Sequence, residues 1–243
     1  MAPVGGDGGD HKGDRGHHQG HHHGKSRDYS WEEGMAEFFL EQARHDAERR
    51  YPPVARLVAD LVDGTEHPVV LDLGCGPALL LPELARAVPG VRFVGVDPSR
   101  PMLELAQRVL EEEGTGDHRL LEGIAEDIPL EDASVDVVVA LKNLHEWDDA
   151  DRGIREVYRV LRPGGHLFLR DSNGSYPYWR LRLYVGWVRL TRGRIATHSY
   201  LGPYPDAYGP EQVEAFIEGA GLEVVEAKRR SVELEYLARR PRR

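Results

Sequence analysis

The sequence predicts an α/β fold built on a doubly wound sheet, and three stretches carry that prediction. Val69-Val70-Leu71-Asp72-Leu73 is a short apolar run that ends in a glycine turn and opens into the helical pattern of Ala78 to Val88. Val91 to Val96 is a second apolar run, closed by Asp97, 21 positions past Gly76. Ser134 to Leu141 is almost continuously apolar, as a strand buried on both faces requires. Strands alternating with helices in this way build parallel sheets.

Composition bounds the rest. At 243 residues one sizeable domain is the default. A hydrophobic fraction of 40% and a charged fraction of 30% are ordinary for a soluble protein. The net charge of −10 argues against general nucleic-acid binding, which rests on neutralised phosphates. Cys75 is the one cysteine, so no intramolecular disulfide forms and a reducing cytoplasm is the expected location. No apolar run of about 18 residues is present, so no spanning helix is expected, nor is a secretory signal. Residues 1–28 are rich in Gly, Asp and His and are expected to form a disordered tail. They hold six of the twelve histidines. His21, His22 and His23 read either as incidental metal binders on a flexible tail or as part of a metal-buffering one, and no built metal site is expected.

The folded domain is expected over residues 29–243. Residues 29–66 read as two cap helices. The first is capped by Ser30, with Glu32 and Glu33 in its first turn. The second starts at Pro52 or Pro53, carries Val54, Leu57, Val58 and Leu61, and ends at Gly64. After the strands and helices around Asp72 and Asp97, His118 to Glu122 is strand three and Ser134 to Leu141 strand four. The helix of Ile154, Val157, Tyr158 and Leu161 ends at Leu161-Arg162-Pro163-Gly164-Gly165, whose glycines turn into strand five, His166 to Asp171. Residues 172–210 form an insertion. Its helix, Tyr178 to Thr191, sets Trp179, Leu183, Gly186 and Leu190 on one stripe, and Leu201 to Gly209 is a loop of aromatic and turn residues. From Arg180 to Arg194 there are five arginines and no acids. This segment suits an anionic substrate, an acidic membrane surface, or simply water. Pro210 opens a helix with Val213, Phe216 and Ile217, and two strands follow, about Val224 to Lys228 and Val232 to Ala238. Arg239 to Arg243 are expected to fray.

The loop after strand one discriminates between ligands. Gly74 and Gly76 lack a Cβ, so the chain turns sharply and a ligand approaches the backbone. A dinucleotide loop needs a third glycine where Leu79 stands, and there is no phosphate-binding G-K-[ST]. Asp72, two residues before Gly74, would repel a pyrophosphate and suits an ammonium group.

Four motifs stand in order: Leu71-Asp72-Leu73-Gly74-Cys75-Gly76-Pro77, Val94-Gly95-Val96-Asp97-Pro98-Ser99, Gly123-Ile124-Ala125-Glu126-Asp127-Ile128-Pro129-Leu130 and Leu161-Arg162-Pro163-Gly164-Gly165. Together they resemble the class I S-adenosylmethionine-dependent methyltransferases, of the small-molecule, methyltransferase domain 11 type. The resemblance implies a Rossmann-like seven-stranded sheet in the order 3-2-1-4-5-7-6, with strand seven antiparallel and helices on both faces. It implies S-adenosyl-L-methionine as cofactor. Asp72, Leu73, Gly74, Cys75 and Gly76 would hold its methionine end, and Asp97 with Pro98 its ribose. Met102 would pack on the adenine or serve the core. Ala125 would offer its N–H to the ring, and Leu141 closes the site at the end of strand four. Ile124 departs from the pattern, because relatives often carry an Asp there, and Glu126 or Asp127 is the substitute. The leading helices would lie over the cofactor or substrate mouth, or cover a sheet edge.

A sulfonium methyl is already activated, so alignment of the acceptor for in-line displacement is the main task. His145, at the carboxyl end of strand four, is the first candidate for a base, with Tyr204, Tyr208 and Asp171 behind it; the other reading of His145 is a positioning or capping residue. The acceptor is expected to be a small or lipid-like molecule presenting O, N or C, selected by the aromatic residues between Tyr176 and Tyr208. Peripheral membrane contact and a monomer or homodimer are compatible with the sequence. The alternatives are a catalytically silent S-adenosylmethionine-binding module and, behind it, another nucleotide-binding oxidoreductase.

Overall fold

A computed structural model describes residues 33–192 and 206–242. Seven strands form one sheet, β1 (Val69–Leu73), β2 (Arg92–Asp97), β3 (His118–Glu122), β4 (Val135–Leu141), β5 (Leu161–Ser172), β6 (Glu223–Arg229) and β7 (Glu233–Arg239). Their order is β3-β2-β1-β4-β5-β7-β6. The first five run parallel, and β7 is antiparallel to both its neighbours. The chain goes outward from β1 to β2 and β3, then returns to the other side of β1 as β4. The carboxyl ends of β1 and β4 therefore flank the switch point where ligands of open α/β sheets lie.

The period-two alternation of the strands divides the core into two layers. On one face Val70, Phe93, Val137, Val139 and Phe168 meet α1 (Glu33–Leu61), α2 (Leu80–Ala87) and α3 (Arg100–Glu113) through Val58, Leu81, Leu84 and Leu110. On the other, Leu71, Val94, Val138, Leu167 and Leu169 meet α4 (Ala150–Val160) and α6 (Pro210–Gly219) through Ile154, Val157, Val213 and Ile217. The remaining helix, α5 (Tyr178–Arg192), follows β5.

Three expectations are corrected. The two cap helices are one, α1, with Pro52 and Pro53 inside it. A proline costs a helix interior roughly 3 kcal/mol. Apolar side chains on both sides carry the helix through: Leu40, Ala43 and Ala47 with Met102 and Leu105 before the prolines, and buried Val54, Val58 and Val62 after them. A fully buried valine or leucine contributes about 1.5–3 kcal/mol, so several outweigh the break. Gly64 does end the turn beyond α1, with φ +75.

The second correction concerns Leu161 to Gly165, which is not a turn before β5 but a bulge within it. Val135 pairs with Leu161 and Val137 with His166, so the β5 side carries the excess residues. A Cβ on Gly165 would meet the Asp136 carbonyl oxygen at 2.8 Å, which explains the bare position. The third concerns the basic tail. β7 runs through Arg239, and Arg240 is fastened: its Nη1 donates to the carbonyls of Tyr158, Arg159 and Leu161 at 2.9, 3.2 and 2.6 Å. Its guanidinium lies 4.4 Å from the Tyr158 ring centre. A cation on the open carbonyls ending α4 also complements the helix dipole.

Candidate active site

Three glycine-loop residues are held by β2. Gly74 and Cys75 both donate their N–H to the Val96 carbonyl, at 2.7 and 3.1 Å. Gly76 N–H donates to Asp97 Oδ2 at 2.8 Å, and Ser99 N–H to Asp97 Oδ1 at 2.9 Å. Asp97 thus fixes the loop and the start of α3 at once, with one N–H on each oxygen and acceptor capacity left on both. Gly74, Gly76 and Ala78 all have positive φ, at +72, +51 and +53. The turn is left-handed at three places, and glycine relieves two of them.

Asp72 lies buried beside Asp97. Burial first, and the Asp97 charge second, push its carboxyl up to about 7. Burial likewise raises Asp97, against the two backbone N–H bonds that lower it. The Cys75 thiol is pushed well up, by burial and then by Asp72 and Asp97, and stays neutral.

The end of β4 supplies the other wall. Lys142 takes a left-handed conformation, φ +62, donates its N–H to the Arg170 carbonyl at 2.8 Å, and ion-pairs with Glu233 at 2.8 Å. That turn tucks Asn143 back over the loop. Its Nδ2 donates to the Leu73 carbonyl, and a Cβ added to Gly74 would collide with its amide. Asn143 Oδ1 is buried without a hydrogen-bond partner among the described residues. Leu144–Glu146 then form a single 3-10 turn that carries His145. The buried His145 Nδ1 lies 2.8 Å from Asp171 Oδ1, and its backbone N–H is 3.3 Å from Asp171 Oδ2. A carboxylate only accepts, so Nδ1 bears a proton, and Nε2 lies 3.8 Å from Glu146 Oε1.

The methyltransferase-domain family matches residues 71–169, from the glycine loop to β5. A demethylmenaquinone methyltransferase of Thermus thermophilus is 30% identical over 166 residues, covering 64% of this chain and 74% of that protein. The chain belongs to the class I S-adenosylmethionine-dependent methyltransferases. This methyltransferase spans about half the length of two other curated relatives, 48% of one from Streptomyces fradiae and 51% of one from Bacillus subtilis. A SAM-dependent methyltransferase from Aquifex aeolicus superposes with a TM-score of 0.63 at 19% identity, over 87% of this chain and all of its own. The cyclase SpnF does so at 0.61 and 19%, over 78% of this chain and 80% of its own. These two share the fold.

Within the methyltransferase, Asp72, Leu73, Gly74, Cys75, Gly76 and Asp97 form one constellation, with Pro98 half-buried beside it. Met102 sits in the core with Leu40, Leu79, Leu105 and Val109. Ala125 is buried, and Ile124 is exposed. Glu126 Oε1 accepts the Asp149 N–H at 2.9 Å, which commits that carboxylate to the start of α4. Leu141 is half-buried at the end of β4. Tyr208 packs edge-on to Phe216, with ring centres 5.2 Å apart. Tyr204, Ser30, His21, His22 and His23 lie outside the described residues. Tyr178, Trp179 and Trp187 are largely exposed, and so line no closed wall. Asn143 carried no assigned role in the sequence. Its partner at Leu73 is 70 residues away, and no local spacing signals the contact.

Proposed function

We propose that this chain moves the methyl group of S-adenosylmethionine to an oxygen, nitrogen or carbon atom of a small or lipid-like acceptor. The observation that carries the reading is the buried His145–Asp171 pair, set two residues from the asparagine that touches the glycine loop. The residues fit the cofactor. Asp72 and Asp97 make a buried acidic cradle with no cation beside it among the described residues, complementary to a ligand bearing sulfonium and ammonium groups. Asn143 Oδ1, facing that loop from the end of β4, is an acceptor without a partner among the described residues, suited to an ammonium N–H.

When bound, the cofactor supplies a methyl group already activated on sulfur. Asp72 and Asn143 would hold the ammonium end, and the free lone pairs of Asp97 the ribose hydroxyls. The loop glycines would admit the ligand against bare backbone. Asp171 would keep a proton on His145 Nδ1 and orient Nε2, which lies beside Glu146, to accept the acceptor's proton as methyl arrives. Tyr208, with Tyr204, would bound the acceptor's apolar part. Demethylmenaquinone, named for the relatives from Thermus thermophilus and Chlorobaculum tepidum, is the first acceptor to test.

The test is methyl turnover with labelled cofactor, alongside calorimetry. His145→Ala and Asp171→Asn should each lower kcat by roughly 10²–10⁴-fold, the range of a general base. Cofactor Kd should stay within about twofold of the parent. Unchanged kcat in both would remove the base from His145. Binding without turnover on any acceptor would make the chain a silent cofactor-binding module.

A further inference from the structure

We propose that α5 is a membrane-docking helix that lies flat on an anionic lipid surface. Two apolar faces run along it. Leu181 and Val185, 2% and 5% exposed, point inward. Trp179, Leu183, Trp187 and Leu190 are 60%, 66%, 56% and 87% exposed. At about 100° per residue these four share one face, roughly opposite Leu181 and Val185. Among the described residues the exposed stripe takes no part in the apolar core clusters. A soluble surface rarely presents a contiguous row of this kind without an occupant.

Charge identifies the occupant. The helix carries Arg180, Arg182, Arg189 and Arg192 and no acid, in a chain whose net charge is −10. By helical position Arg180 borders the stripe on one side and Arg182 on the other. The Arg180 guanidinium lies 5.1 Å from the Trp179 ring centre. Tryptophan and leucine on one face with arginine along both margins is the pattern of a helix seated at the headgroup boundary. In a two-fold dimer the stripe would meet its own copy, and its basic margins would repel one another. The place also fits. α5 starts six residues past Ser172, the carboxyl end of β5, and Asp171 there holds His145. The Gly174 N–H donates to the Tyr208 carbonyl at 3.0 Å, so the segment leaves and returns at that same end of the sheet. Docking would set the mouth of the crevice against the bilayer, where an acceptor with an apolar tail enters without crossing water. No helix among the described residues is long and apolar enough to cross a membrane, so the contact is peripheral.

The test is sedimentation of the full chain with vesicles, read beside its melting temperature and cofactor affinity. Vesicles of phosphatidylcholine with 30% phosphatidylglycerol should carry it down, and pure phosphatidylcholine should carry it at least tenfold less, with release in about 1 M salt. Leu183→Glu with Leu190→Glu should abolish sedimentation at unchanged melting and cofactor Kd. Arg180→Gln with Arg182→Gln should weaken it about 25-fold, at about fivefold per arginine. Failure of the full chain to sediment, or equal sedimentation of both variants and parent, overturns the proposal. So does a dimer in solution that Leu183→Glu with Leu190→Glu converts to monomer, since a second copy would then cover the stripe. Methyl transfer to a water-soluble acceptor is read separately, so failure of docking leaves the catalytic reading standing.

Discussion

Asp72 is a buried carboxyl whose charge the proposed cofactor binding would change. In the unfolded chain its carboxyl titrates near 3.8; in the folded, free protein burial and Asp97 push it up to about 7. The folded state thus prefers the protonated acid. Its contribution to stability is full below about pH 4 and is lost as pH rises through about 7. The loss is roughly 2–4 kcal/mol. A cation in the cradle reverses the preference, because only the ionised form attracts it. Two outcomes are expected. Free protein should lose melting temperature between pH 5 and pH 8, and Asp72→Asn should flatten that decline. Cofactor affinity should rise over the same interval, with proton release seen by calorimetry in buffers of different ionisation heat. Affinity independent of pH would mean that Asp72 does not meet the cationic end.

The elements show where a linear sequence speaks and where it is silent. Pro53 is exposed in the middle of α1, so its ring contributes little packing and its missing N–H leaves the Arg49 carbonyl without a helical donor. Pro53→Ala should therefore raise unfolding free energy by about 1–3 kcal/mol, measured by denaturant titration. A loss instead would show the proline sets a bend that α1 needs. Strands β1, β2 and β4 were legible because burial on both faces forces unbroken Val and Leu runs, and the loop at Asp72–Gly76 because its chemistry is contiguous. Asp97 was legible as the acid closing β2. The continuity of α1 was not, since prolines signal locally and the buried valines that override them act through α2 and β1. Nor was the bulge at Gly164–Gly165, which pairing with β4 defines, nor Asn143, which meets Leu73 only after the sheet has formed. Nor was the contact of Glu126 with the Asp149 N–H, 23 residues away.

At the scale of the whole molecule, Arg240 ties three parts together: the end of α4, the start of β5 and the exit of β7. Arg240→Ala would leave three carbonyls without their charged donor, and should cost about 2–4 kcal/mol, at roughly 1.5–3 for a charged hydrogen bond and less for each further one. Thermal unfolding reads this directly, and an unchanged midpoint would return the tail to the frayed state its sequence suggests. The position of β7 has a consequence for synthesis. It follows β5 and β6 in the chain, yet lies between them. As the polypeptide leaves the ribosome, strands β1 to β5 emerge able to assemble around the glycine loop, while one flank of β5 still shows a row of bare N–H and C=O groups. β6 cannot cover that flank, because its pairing is with β7. Translation that pauses before residues 233–239 emerge therefore leaves a nascent chain whose cofactor loop is built but whose open flank can capture a neighbouring chain on the same messenger. The β6–β7 hairpin closes that interval, and the speed of translation through its codons sets how long the exposure lasts.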